Sequence, residues 1–355
     1  MEIEKNIKDY AILGDVLSSF ISKNTTKTNY TKYYSLLNKA IDNSYKANQW
    51  FISDFVNYSI EVWGNTLTET NLTKWLEPYY NKLSKIKKTK KAGVVMPGNL
   101  PLAGLHDFLC VLVTGNHFTG KLSSRDRFLL PAIAEILCDI DNYFSNKIKF
   151  VDDNYLSDFD FIIATGSNNT SRYFEYYFNK YPNIIRKNRN GVAVLTGKES
   201  QTQLDNLAKD IFMYFGLGCR SISKIFVPEN YNFNYLFKSF ENFRFVALHN
   251  KYCNNYDFYK SIFLVNRQQF MDNGYILLKQ ENKLSSPVAV LYFDFYNSIS
   301  EVNKLLETDL DKLQCICSED DEVKNAIPFG KAQQPDLWNY ADNIDTIDFI
   351  LDLCI

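Results

Sequence analysis

Cys219 is the residue of this sequence best placed to act as a nucleophile. It closes the stretch Phe215-Gly-Leu-Gly-Cys219, after an apolar helical pattern, and a β-branched run from Ile222 to Val227 follows at once. Glycines at 216 and 218 permit positive φ and close backbone approach, which a thiol needs if a bulky carbonyl compound is to reach its sulfur. Taken alone, Cys219 is also readable as one of seven core-filling cysteines. Three more stretches carry groups of use to a ligand. Asn99, on a Pro97-Gly98-Asn99 turn, offers a side-chain amide to a developing oxyanion, although such a turn also selects Asn for its own sake. Lys121 with Ser123, Ser124 and Arg125 offers charge and hydroxyls to a ribose or phosphate, and a solvated lysine has the same sequence. Gly166-Ser167 before a helix offers N–H groups and a dipole to a pyrophosphate, and equally an ordinary N-cap.

The elements that must position these groups follow from hydrophobic period. Ile3, Ile7, Leu13, Val16, Leu17 and Phe20 share one helical face, and Tyr33, Leu36, Leu37, Ile41 and Tyr45 suggest another, so residues 1 to about 80 open as helices. From Ala92 short apolar strands alternate with helices: strands at 92–96, 117–122, 147–151 and 160–164, helices at about 102–113, 127–139 and 168–178. A second alternation begins near Gly191, with strands at 192–195, 222–227, 275–278, 288–295 and 313–317 and helices at 201–215, about 235–240 and 299–306. Such alternation implies parallel sheets whose ligands sit at strand carboxyl ends, where Asn99, Lys121 and Gly166-Ser167 fall. The basic run Lys85 to Lys91 reads as a solvated connector and Glu319 to Glu322 as an exposed acidic turn.

Composition narrows the classes. With 355 residues, 46% hydrophobic, the chain can bury a large core, and two domains are expected. A net charge of −2 gives no global field toward nucleic acid or anionic lipid. The odd cysteine count without framework spacing, and an opening Met-Glu-Ile-Glu-Lys without a signal-peptide pattern, fit a reduced, cytoplasmic protein. No apolar run reaches the ~20 residues of a membrane span. His106, His117 and His249 lack metal-ligand spacing, so no metal is expected, and Cys315-x-Cys317 on one strand face reads as core.

Taken in order, these stretches resemble the aldehyde dehydrogenase superfamily, and within it the LuxC-type long-chain acyl-CoA reductases, over residues 90 to 345. Val95-Met-Pro-Gly-Asn-Leu-Pro-Leu102 is similar to the stretch whose asparagine, here Asn99, binds the substrate carbonyl oxygen. Gly120-Lys-Leu-Ser-Ser124 resembles the segment that holds the cofactor's adenosine ribose, and Ala164-Thr-Gly-Ser167 the turn under its pyrophosphate. Gly216, Cys219 and Val227 keep the spacing of the cysteine signature, with Lys224 where an arginine is usual, and Ile327-Pro-Phe-Gly330 resembles a late superfamily stretch.

The resemblance implies an α/β, aldehyde dehydrogenase-like fold: a helical N-terminal region and Rossmann-like NADP-binding domain over 1–190, a catalytic thiol domain over 191–330 and a C-terminal tail over 331–355. Its departures are specific. The glutamate that activates water in hydrolytic members aligns with Ile185, which leaves an acyl-cysteine open to thiols and hydride rather than water. Ser124 replaces a glutamate that repels a 2′-phosphate, and with Lys121, Ser123 and Arg125 the resemblance implies NADPH. The glutamate that clasps the nicotinamide ribose aligns with Lys283. The expected activity is therefore an NADPH-dependent oxidoreductase that reduces acyl-CoA, or an acyl-carrier thioester, to a fatty aldehyde through acyl-Cys219. The alternatives are a degenerate fold serving as an acyl-carrier or partner scaffold, and a reductase of an acyl phosphate. Nucleic acid and integral membrane contact are not expected. A homo-oligomer is compatible with the sequence, which does not specify acyl length.

Overall fold

The computed structural model describes residues 2–24, 28–151 and 156–355. The chain forms two compact units, Met1–Lys187 with Asp336–Ile355, and Asn188–Pro335.

In the first unit the amphipathic helix Glu2–Ile21 packs on helices Ser53–Thr66, Glu69–Leu76 and Leu129–Ile140. The apolar face expected at Ile7, Leu13, Val16 and Leu17 is buried there. Beside them lies a parallel sheet of β1 (Lys91–Val95), β2 (His117–Lys121), β3 (Ile148–Val151), β4 (Phe161–Thr165) and β5 (Asn183–Arg186), ordered β3-β2-β1-β4-β5. The chain winds outward from β1 through β3 and then returns to the other side of β1 as β4. Strand order thus reverses between β1 and β4, and such a reversal leaves a crevice at the carboxyl ends of the strands.

Of residues 331–355, read from sequence as a C-terminal tail, Asp336–Ile355 complete this unit. The helix Thr346–Cys354 packs on helix Leu105–Val113. His106 donates from Nε2 to the Leu337 carbonyl at 2.8 Å, among the rings of Trp75 and Tyr340. Trp75 in turn donates to the Tyr340 hydroxyl at 2.8 Å. Arg186 forms a buried ion pair with Asp107 and donates to Thr346 Oγ1 at 2.8 Å. Removing one partner of such a pair costs about 3–5 kcal/mol, because the other charge stays buried.

The second unit holds β6 (Asn190–Val194), β7 (Ile222–Pro228), β8 (Met271–Asp272), β9 (Leu277–Gln280), β10 (Val290–Tyr296), β11 (Leu313–Cys317) and β12 (Ala326–Ile327). Their order is β12-β11-β6-β7-β10-β9-β8, parallel throughout except for the short β8–β9 pair. Gly191 pairs with Ile222 and Val192 with Lys224, so Ser223 is an extra residue in β7, a β-bulge. The α/β architecture and helical N-terminal region expected from sequence are borne out.

Candidate active site

The first unit gathers three of the predicted stretches on one ledge. Val95 of β1 stands in register with Lys121 of β2 and Ala164 of β4, so the segments after these strands leave adjacent ends. They also touch. Met96 donates its N–H to the Lys121 carbonyl at 3.0 Å, and a Cβ on Gly98 would lie 2.1 Å from Ser123 Oγ. Only glycine lets the Asn99 turn lie against the Ser123 loop this closely.

That turn is braced from below. Asn48 donates to the Gly98 carbonyl at 3.5 Å, Ser59 to the Pro101 carbonyl at 2.9 Å, and Leu102, at φ 58°, gives its N–H to Asp126 Oδ2 at 3.3 Å. Asp126 is 6% exposed, and burial pushes its carboxyl up to about 7. Asn99, Ser124 and Arg125 are exposed, while Lys121 and Ser123 are half-buried. Ser167 caps helix Asn168–Phe178 by accepting from the Thr170 N–H at 3.2 Å, and Gly166 precedes it at the end of β4. Ile185 lies in β5, so no carboxylate occupies that position.

The second unit positions Cys219. Helix Gln201–Phe212 starts from a Ser200/Gln203 capping box and gives way to three successive left-handed residues, Tyr214 (φ 55°), Phe215 (φ 57°) and Gly216 (φ 73°). The glycines at 216 and 218 were expected to carry the positive φ, yet Gly218 lies outside this run, and two residues with bulky side chains enter it instead. A left-handed residue with a Cβ costs roughly 1–2 kcal/mol. Burial of the Phe215 ring against His249, 4.4 Å between centroids, offsets this.

A tight turn follows. Ser221 donates its N–H to the Gly218 carbonyl at 3.0 Å, and its hydroxyl oxygen accepts from Gly218 N–H and from Gln333 Nε2, both at 3.2 Å. Arg220 donates from Nε to the Ala332 carbonyl at 2.5 Å, and Cys315 Sγ donates to the Arg220 carbonyl at 3.5 Å. Cys219 occupies the tip and is exposed, whereas Cys110, Cys315, Cys317 and Cys354 are buried and Cys138 and Cys253 half-buried.

Beneath the turn, fully buried Asp210 accepts from the backbone N–H groups of Gly330 at 2.6 Å and Ala332 at 3.1 Å. It ties the Pro328-Phe329-Gly330 stretch to the helix that leads to the thiol. Burial pushes its carboxyl up to about 7. Sequence reasoning singled out neither Asp126 nor Asp210. Among the described residues no group of His, Cys, Asp or Glu forms a metal site, and no helix is long and apolar enough to cross a membrane.

Solved structures that align with this chain include aldehyde dehydrogenases. Aldehyde dehydrogenase 21 from Physcomitrella patens, bound to its product succinate, aligns over 98% of this chain and 88% of its own at 12% identity, with a TM-score of 0.55. An indole-3-acetaldehyde dehydrogenase in complex with NAD+ aligns over 91% and 77% at 12% identity, TM-score 0.57. HpcC from Thermus thermophilus aligns over 90% and 75% at 13% identity, TM-score 0.55. At such identities the likeness is one of fold, and the chain has the aldehyde dehydrogenase-like fold. Within that class, residues 69–236 match the family Acyl-CoA reductase (LuxC), a stretch that includes Asn99, the Ser123 loop, Gly166-Ser167 and Cys219. The resemblance drawn from the motifs is borne out. No curated protein sequence matches the chain.

Proposed function

We propose that this protein is an acyl thioester reductase that releases an aldehyde with NADPH through an acyl-Cys219 intermediate. The observation that carries the reading is Cys219 itself: an exposed thiol at the tip of a turn whose flanking residues are each fixed by buried partners.

The donor set of the first-unit ledge fits a phosphorylated dinucleotide. Lys121, Ser123, Ser124 and Arg125 would hold the adenosine ribose and its 2′-phosphate, and Gly166-Ser167 at a helix N-terminus the pyrophosphate. The one carboxylate in that loop, Asp126, is turned inward to Leu102.

In the proposed reaction the Cys219 thiolate attacks the thioester carbonyl carbon. The bond from that carbon to the departing sulfur breaks, and the free thiol leaves with the proton that Cys219 gave up. The Cys219 backbone N–H is assigned to the carbonyl oxygen, where one donor is worth about 2.7–4 kcal/mol, and Asn99 keeps the carbonyl-binding role that the resemblance gives it. The cofactor, when bound, supplies the hydride that takes the acyl-cysteine to a thiohemiacetal. Its carbon–sulfur bond then breaks, the aldehyde departs and the thiolate is restored. With Ile185 where a water-activating base would stand, hydrolysis of the acyl-cysteine has no general base at that position.

Mass spectrometry of the protein mixed with an acyl-CoA, without reductant, is expected to show the acyl mass on Cys219. NADPH oxidation in the same mixture should depend on that cysteine. A folded protein that never gains the mass overturns the proposal.

A further inference from the structure

The loop between β9 and β10 is clamped by the strand that leaves the thiol turn. Ser223 donates its hydroxyl to the Leu284 carbonyl at 2.7 Å, and Lys224 donates from Nζ to the Glu281 carbonyl at 2.9 Å. Successive residues of a regular strand face opposite ways, and the bulge at Ser223 explains how two neighbours engage one loop. Lys224 is 1% exposed; burial lowers the pKa of its ammonium, and Asp294, with Oδ2 at 3.6 Å, opposes that shift. A buried ammonium is costly unless it is paired and hydrogen-bonded, and Asp294 with the Glu281 carbonyl meets that need here.

What the clamp holds out is Lys283. It lies between the two anchored carbonyls and is exposed. The neighbouring acid Glu281 is held by Lys279 at 2.9 Å, and Lys283 makes no ion pair among the described residues. β10 runs parallel to β7, with Tyr292 beside Lys224, so this loop enters β10 at the same sheet edge from which the Cys219 turn enters β7. The cation and the thiol therefore belong to one edge of one unit.

We infer that Lys283 is a specificity-determining residue that binds a phosphate group of a ligand arriving at the Cys219 edge, with Ser223 and Lys224 as its positioning residues. The inference rests on the reductase reading and adds to it a preference for phosphate-bearing ligands. Two ligands could bring that phosphate, the nucleotide part of an acyl-CoA and the dinucleotide cofactor. Loss of the ammonium–phosphate contact is expected to cost about tenfold, or about 1.4 kcal/mol, in affinity or in acylation at limiting substrate.

The test compares wild type, Lys283→Gln, Lys283→Arg and Ser223→Ala. Acylation of Cys219 is followed by mass spectrometry with an acyl-CoA and with the same acyl group on N-acetylcysteamine, which has no phosphate. NADPH binding is followed separately by fluorescence titration. A roughly tenfold loss in Lys283→Gln with the acyl-CoA alone supports the inference and names the thioester as the source. Unchanged acylation with weakened NADPH binding supports it and names the cofactor. In either case Lys283→Arg should retain binding, and Ser223→Ala should shift the same parameter less. Equal losses with both thioesters, or no change in any measurement, overturn it. Wild-type protein that takes no acyl group from either thioester instead defeats the reductase reading itself.

Discussion

Gly191 and Arg220 approach so closely that a Cβ on Gly191 would stand 2.7 Å from the Arg220 carbonyl oxygen. That oxygen belongs to the turn that carries Cys219, so the first residues of β6 form the floor on which the thiol rests. Gly191→Ala must push the turn away, at about 1–3 kcal/mol of overpacking. The expected result is a lowered melting temperature and slower acylation of Cys219. Unaltered acylation in a folded variant would show that the turn tolerates displacement.

Thiol accessibility leads to a second prediction. Alkylation with iodoacetamide near neutral pH should label Cys219 before any other cysteine, because only its side chain is exposed. Cys219→Ala should abolish acyl-CoA-dependent NADPH oxidation while changing the melting temperature little. Peptide mapping of the label and a steady-state assay check both.

The buried carboxyls predict how stability depends on pH. Asp126 and Asp210 are both pushed up to about 7 in the folded chain, so folding favours their protonated forms. Their stabilising contribution is complete below the unfolded carboxylate range and is lost as pH rises through about 7. Thermal melts should therefore show stability falling between about pH 4 and 7 through these groups. Asp126→Asn keeps an acceptor for the Leu102 N–H and replaces the unpartnered Oδ1, so it should flatten the profile and melt no lower than wild type at about pH 8. A steeper profile in the variant would refute the assignment.

Much of this arrangement was legible because alternation is a strong signal. Helix Asn168–Phe178 and strand Leu313–Cys317 fall where hydrophobic period puts them, and the parallel order follows from the same rule. Strand Asn183–Arg186 was not marked, since four residues with a charged end carry too little pattern. Helix Asn250–Val265 was missed because Asn and Tyr interrupt its apolar face. Asp126 and Asp210 were invisible for another reason: a buried carboxylate has the same letter as a solvated one, and only the backbone N–H groups aimed at it reveal its role. Tyr214 and Phe215 in left-handed backbone were equally hidden, as packing against His249 overrides their local preference.

Cofactor choice is testable at one position. Wild type should use NADPH more efficiently than NADH. Ser124→Glu should reverse that order, because a carboxylate there repels the 2′-phosphate and accepts the free ribose hydroxyls. A drop of about tenfold in kcat/KM for NADPH corresponds to about 1.4 kcal/mol, a modest demand on one like-charge contact. An unchanged ratio in the variant would place the 2′-phosphate elsewhere.

Leu337, Tyr340 and Thr346 meet His106, Trp75 and Arg186 late in the chain's length. During synthesis the second unit, complete at Pro335, can fold while the first still waits for residues 336–355 to leave the ribosome. Until then Arg186 and Asp107 lack Thr346 and the helix that closes over them, so this part of the first unit's core stays open in the nascent protein.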